Sequence, residues 1–201
     1  MTAKVRNVVT SGVFELDGGS WDVDNNVWLV GNDHEVFVID AAHDAVAIAE
    51  AVGDRTLRAI ICTHGHNDHV NAAPELAERT GAPILLHPAD RVLWDMTHPQ
   101  RQPDAELEDG QILTIAGTGL SVLHTPGHAP GAVCLYSAEL GIVFSGDTLF
   151  HGGPGATGRS YSDHPTIVRS IKEKLFALPG DTVVNTGHGE STTIAGETAN
   201  V

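Results

Sequence analysis

The chain has 201 residues, of which 11 are basic and 26 acidic, giving a formal charge of -15. That length suits one domain, taken as residues 1–201, with a substantial buried core. The charge opposes nucleic acid, because the most basic stretch, around Arg169, Lys172 and Lys174, reads as the wet side of a helix, and no apolar run is long enough to span a bilayer.

Strand-like runs open the chain at residues 13–16, 26–30 and 36–39, the last ending in Asp40. A helix follows at 45–52, where Ala45, Ile48, Ala49 and Val52 share a stripe, and then a strand at 57–62. Helical spacing returns at 72–80, entered at Asn71 with Pro74 in the first turn, and at 88–96 after a short strand at 84–86. Strands at 112–115, 120–123, 132–137 and 142–145 precede a Gly-rich loop over 152–158. A helix is predicted over 165–178, with Ile167, Ile171, Leu175 and Leu178 at helical intervals, Asp163 as its cap and Pro179-Gly180 as its stop, followed by a strand at 182–185. So many strands with interleaved helices predict an α+β protein, two sheets stacked face to face with helices outside, a four-layer αββα sandwich.

The segment between the strand at 57–62 and the helix at 72–80 holds the densest chemistry. Thr63-His64-Gly65-His66-Asn67-Asp68-His69 packs three imidazoles and a carboxylate into six consecutive positions, His64 to His69. Crowded polar side chains must be exposed, hydrogen-bonded or coordinated to a cation, and this density points to a metal site. His64 and His66 alternate as ligands on an extended loop would, whereas Asp68 and His69 are adjacent and diverge, which suits two different ions. Further candidates come singly, each in a glycine-containing turn after an apolar run: His128, Asp147 and His188. Strand, glycine turn, ligand, repeated four times, is the pattern of strands that deliver side chains to one edge of a sheet.

Around these lie weaker candidates. Arg159 and Tyr161, at the end of the Gly-rich loop, form the basic-aromatic pair nearest to a metal motif and are candidates for binding a substrate carboxylate or the tail of a leaving thiol. Thr63 and Ser145 are candidates for orienting the imidazoles, while His151 and His164 flank the loop without a defined role. Cys62 and Cys134 sit inside apolar runs and are expected to be buried as small apolar residues. Trp21, Trp28 and Trp94 are expected in core or pocket wall. With no apolar core in its first seven residues, the chain is expected to be cytoplasmic, without membrane contact.

The His-x-His-x-Asp-His run, followed by His128, Asp147 and His188 in this order and these settings, resembles the metallo-β-lactamase-fold hydrolases, and within them the glyoxalase II-like, or hydroxyacylglutathione hydrolase-like, group. The resemblance extends from about Val13 to His188. It implies the αββα architecture with metals at one rim of the two sheets. It further implies that His64, His66 and His128 hold one metal, that Asp68, His69 and His188 hold a second, and that Asp147 bridges them. Asp40 stands where related enzymes place a buried acid beside the metals. By family pattern, β-lactamases have another residue where Asp147 stands, and flavo-diiron proteins carry Glu where His66 stands, so both are expected to be excluded.

Two divalent ions, zinc foremost, with iron or manganese also accepted by mixed imidazole and carboxylate shells, would generate a bridging hydroxide that Asp68 orients toward a carbonyl carbon. The motifs offer no acid for a leaving group beyond metal-bound water. A thiolate leaves without one, so the expected partner is a small-molecule acyl thioester. Glyoxalase II proper carries a C-terminal helical extension that forms much of its glutathione site, whereas this chain ends at Val201, which leaves the thiol carrier open. The alternatives are a persulfide dioxygenase using one iron, against which the Gly155-to-Arg159 stretch counts, and a lactonase with the same seven ligands. A nuclease is disfavoured by charge and by the short span from Asp147 to His188.

Overall fold

Strand β1 (Lys4–Leu16) and strand β2 (Gly19–Gly31) pair antiparallel along their whole length in the computed structural model, which describes residues 3–201. Asp17 and Gly18 join them, both at positive φ, as a two-residue hairpin turn with an Asp-Gly sequence favours. Only 13–16 and 26–30 of this hairpin stand out in the sequence, because its polar outer part is largely solvent-facing and shows no apolar run. Strands β3 (Glu35–Ile39), β4 (Thr56–Ile61), β5 (Ile84–Leu86) and β6 (Ala105–Glu106) extend the sheet in the order β1-β2-β3-β4-β5-β6, parallel from β3 onward.

The second sheet is built from β7 (Ile112–Ile115), β8 (Thr118–His124), β9 (Val133–Ser137) and β10 (Ile142–Gly146). A small hairpin follows, β11 (Leu149–Phe150) and β12 (Gly153–Pro154), and then β13 (Val183–Thr186) and β14 (Thr192–Thr193) complete the order β14-β13-β10-β9-β8-β7. β10 and β13 are parallel and the other pairs antiparallel.

Period-two alternation fills three apolar layers. Val36, Val38 and Ile60 face outward and pack with Ile48 and Val52 of α1 (Ala45–Val52), with Val70 of α2 (Asn67–Val70), with Leu76 of α3 (Ala73–Thr80) and with Trp94 of α4 (Arg91–Thr97). Their neighbours Phe37, Ile39 and Ile61 face inward against Leu120, Val122, Val133, Leu135 and Phe144 of the second sheet. On its far side Cys134, Val143 and Val184 meet Ile167 of α5 (His164–Ser170), Ile171, Leu175, and Ile194 of α6 (Ile194–Glu197). The four-layer αββα sandwich is therefore the observed architecture. Among the described residues no helix is long and apolar enough to cross a membrane.

Three predicted helices differ in detail. The stretch 165–178 is α-helical only to Ser170, then takes one π-helical turn, Ile171–Leu175, with the Phe176 N–H bonded to the Ile171 carbonyl. The wider turn brings residues four apart nearly over one another and keeps Ile167, Ile171 and Leu175 all fully buried. Asp163 caps α5 by accepting the Thr166 N–H. The stretch 88–96 begins as a 3-10 turn, Pro88–Asp90, before α4. α3 starts after Ala72 without a side-chain cap, since the Asn71 carboxamide is turned toward His43 instead.

Candidate metal centre

The C-terminal ends of β4, β8, β10 and β13 open at one rim, and the loops leaving them carry every candidate ligand. His66 ends the extended loop after β4, and the chain then turns into α2, which places Asp68 and His69 on a single helical turn. That turn was not predicted, since four residues are too few to show periodicity. Gly187 is required here: a Cβ would collide with Asp147 Oδ1 and lie 2.8 Å from the His69 ring.

Three imidazole nitrogens meet at one point. His66 Nδ1 lies 3.0 Å from both His64 Nε2 and His128 Nε2. Hydrogen bonds cannot account for this, because the protons are placed elsewhere. Thr63 Oγ donates to Asp40 Oδ2 (2.7 Å) and so accepts from His64 Nδ1 (3.1 Å), and His128 Nδ1 donates to the Ala156 carbonyl (2.8 Å). In neutral rings both Nε2 atoms are then bare, and three nitrogens with at most one proton among them face each other. A tetrahedral shell with arms of about 2.0–2.1 Å has edges of about 3.3–3.4 Å, close to the spacing seen. Burial, and then the neighbouring imidazoles, push His64 below the ordinary histidine range and His66 down to about 3, as lone-pair donors require.

A second group lies beside the first. His69 Nε2 and His188 Nε2 are 3.1 Å apart, and Asp68 Oδ2 lies 3.4 and 3.3 Å from them. Their Nδ1 atoms donate to Asp40 Oδ2 (3.0 Å) and to the Asp24 carbonyl (2.8 Å). Asp147 stands between the groups, 3.3 Å from His69, 3.4 Å from His188 and 3.6 Å from His128. Burial opposes charge on all of these groups, yet the carboxylates hold His69 well above the ordinary range and His188 at about 10. The same contacts hold Asp68 at about 2 and Asp147 well below the ordinary carboxylate range. Three buried atoms here have no hydrogen-bond partner: His66 Nε2, Asp68 Oδ1 and Asp147 Oδ1. Converging lone pairs and unpartnered carboxylate oxygens fit a pair of divalent cations.

All seven candidate ligands are thus brought together. Asp40, at φ 57°, accepts the Thr63 N–H and hydroxyl as well as His69, so one carboxylate orients ligands of both groups. Ser145 is elsewhere, its hydroxyl bonded to the Leu149 carbonyl, and His151 pairs with Glu197 rather than with the centre. Cys62 and Cys134 are buried free thiols, pushed up by burial, Cys134 to about 11. Sequence reading missed Asp90, whose buried carboxylate accepts the N–H of Gly65 at 2.8 Å and that of Gly131, tying the His64–His66 loop to the His128 loop. It also missed Asn25, which touches Asp68 Oδ2 at 3.1 Å. The polar pair Asn25-Asn26 opening an apolar strand was the available signal. The Asp24 and Ala156 carbonyls leave none.

A cavity of about 140 Å3 opens over the centre. Phe14, Leu16 and Val23 give it an apolar side, and Ala156, Arg159, Ser160 and Ser162 complete it with the ligands. The Arg159 guanidinium stacks 3.8 Å from the Trp21 ring centre and 5.0 Å from that of Phe14. Tyr161 is 47% exposed and does not line the cavity.

Residues 21–188 match the family model of the metallo-β-lactamase superfamily. The hydroxyacylglutathione hydrolase GloC of Haemophilus influenzae is 34% identical over 188 residues, 86% of this chain and 89% of that one. The crystal structure of the BLEG-1 B3 metallo-β-lactamase is 31% identical, with a TM-score of 0.80, covering 94% of this chain and 97% of that one. TTHA1623, solved in a di-iron-bound form, is 33% identical, also at a TM-score of 0.80, over 89% of this chain and 94% of its own. Fold, ligand constellation and sequence agree, and this chain belongs to the metallo-β-lactamase superfamily.

Proposed function

We propose that the protein is a dinuclear metal-dependent hydrolase that cleaves acyl thioesters, as glyoxalase II-like enzymes do. The observation that carries this is the cavity lining. Apart from the ligands themselves, the only titratable side chain among the described residues of its lining is Arg159, whose guanidinium cannot serve as an acid. A leaving group must then depart without a proton from the protein. A thiolate, whose acid has a pKa of about 8.5, does so readily, while an amine or alkoxide does not.

His64, His66 and His128 would hold one cation, Asp68, His69 and His188 the other, with Asp147 shared. Bound there, two divalent ions supply Lewis acidity and bring the pKa of a water close to neutral. The donor set suits zinc, and the di-iron form of TTHA1623 makes iron the rival. Asp68 Oδ1, buried and without a partner, is free to accept the hydrogen bond that aims an attacking water. Phe14, Leu16 and Val23 exclude bulk water from the acyl group. Arg159 forms no ion pair with a carboxylate among the described residues and offers its charge to an anionic end of the substrate.

A β-lactam is the second reading, because BLEG-1 bears that name at 31% identity; this weakens the exclusion of β-lactamases by family pattern. Against it, the lactam nitrogen leaves as an amine. Protein loaded with zinc or with iron should be assayed against acyl thioesters of glutathione and of other small thiols, an acyl-homoserine lactone, a β-lactam, and a persulfide with oxygen. The expected result is a kcat/KM for the best thioester at least ~100-fold above the rest. Faster turnover of lactone or lactam, or oxygen uptake with the persulfide, overturns the proposal.

A further inference from the structure

Behind Asp68 lies a chain of three side chains that the reaction as proposed does not use. The His43 backbone N–H points at the Asn71 carboxamide over 2.6 Å. A backbone N–H only donates, so the atom facing it is Asn71 Oδ1. The Asn71 amide nitrogen then lies 3.0 Å from His43 Nδ1, which must be a bare acceptor. A neutral His43 with a bare Nδ1 carries its proton on Nε2, 2.8 Å from Asn25, and the Asn25 atom facing it must be Oδ1. That leaves the Asn25 amide nitrogen 3.1 Å from Asp68 Oδ2, and 3.3 and 3.4 Å from His69 Nε2 and His188 Nε2. Each orientation is dictated by the one before, back to a main-chain group that cannot be reversed.

We infer that Asn71, His43 and Asn25 form a one-way hydrogen-bond relay in which Asn25 is a positioning residue, giving an N–H to Asp68 Oδ2 so that Oδ1 stays free. The role of Asp68 rests on the hydrolase reading above; the sense of the relay does not. With its oxygen turned away, Asn25 is not a fourth protein ligand of the second cation, although its amide sits beside all three ligand atoms. The surroundings keep His43 in place and neutral. A Cβ on Gly12 of β1 would collide with His43 Nδ1, so only glycine there lets the ring pack against the strand. Burial pushes the His43 imidazole below the ordinary histidine range. A doubly protonated ring would also set Nδ1–H against the Asn71 N–H.

Three measurements test this on the metal-loaded protein. Nitrogen-15 NMR should find His43 neutral at pH 7 with its proton on Nε2; a proton on Nδ1, or an imidazolium, overturns the relay. Asn25→Asp replaces the N–H beside the second triad with a carboxylate oxygen. Chelator competition should then show at least ~10-fold tighter retention of the second zinc, while kcat falls; unchanged or weaker retention overturns the assignment of Asn25 as donor. Asn71→Leu and His43→Phe should each lower kcat about tenfold at nearly constant KM, and the double variant should fall no further, because both break the same chain. Asn71→Asp keeps an oxygen for the His43 N–H, and its charge stabilises an imidazolium that donates from Nδ1 to the new carboxylate and still from Nε2 to Asn25, so it should retain kcat within about threefold. Additive losses, or equal losses for Asn71→Asp and Asn71→Leu, overturn the relay. The NMR and zinc-retention results stand apart from turnover: if they hold and no thioester is cleaved, the substrate reading fails and the relay survives.

Discussion

Asp68 is the residue on which ligation and nucleophile meet: Oδ2 belongs to the second triad, while Oδ1 is buried without a partner. Asp68→Asn is expected to lower kcat by about 10²–10⁴ with little change in KM, since it disturbs the aiming of water rather than the pocket, and steady-state kinetics on the zinc-loaded variant would check it. The imidazoles of His69 and His188 make a second expectation. In the metal-free protein the Asp147 and Asp68 carboxylates outweigh burial and keep both protonated, His188 up to about 10. Raised folded-state values mean that this stabilisation of the metal-free form is complete below the ordinary histidine value and is lost as pH rises through the raised ones. Metal must displace these protons, so calorimetry in buffers of differing ionisation enthalpy should record proton release on loading at pH 7, with apparent affinity rising with pH. All seven candidate ligands that the structure brings together were legible in the sequence, because imidazoles and carboxylates seldom gather in glycine turns unless a cation holds them. His43, Asn25 and Asp90 were not, since their partners lie 18 to 43 positions away and nothing local marks them.

Among the elements, the turn before α4 acts as a clasp. Asp90 holds the loops of His64–His66 and His128 together, and burial, only partly countered by the Gly131 and Gly65 N–H groups, raises its carboxyl to about 7. Between its ordinary value and about 7 the folded protein keeps a proton that the unfolded chain releases, so this contribution is whole below the ordinary carboxylate range, shrinks as pH rises above it and is lost once pH passes about 7. Asp90→Asn leaves one of the two amides without an acceptor, a cost of about 1–3 kcal/mol. Thermal midpoints of the metal-free proteins should differ more at pH 5 than at pH 7, and a gap constant with pH would refute this account. Helices with a clean apolar stripe, such as α1, were legible, as were the inner strands with continuous β-branched runs. Residues 4–12 of β1 and 19–25 of β2 were hidden because they are largely polar and solvent-facing and show no apolar run, and the π turn because a four-residue spacing serves either kind of helix.

For the whole molecule, charge and topology decide. In a chain with a formal charge of -15, a guanidinium at the cavity mouth, stacked on Trp21 and free of carboxylate partners among the described residues, stands out against its field. Arg159→Met should raise KM for a thioester with an anionic tail about tenfold, leave kcat nearly unchanged, and have little effect on a neutral thioester; equal effects on both would detach Arg159 from recognition. The ligands are also divided between the sheets: His64, His66, Asp68 and His69 follow β4 of one, whereas His128, Asp147 and His188 follow strands of the other. Cations bound at that rim would therefore rivet two halves that otherwise cohere mainly through apolar contact at their interface. Chelation should lower the melting temperature in proportion to the logarithm of free metal. It should also speed amide exchange at the mouth of the sandwich before its far end, so that starvation for metal loosens the enzyme from the active edge inward.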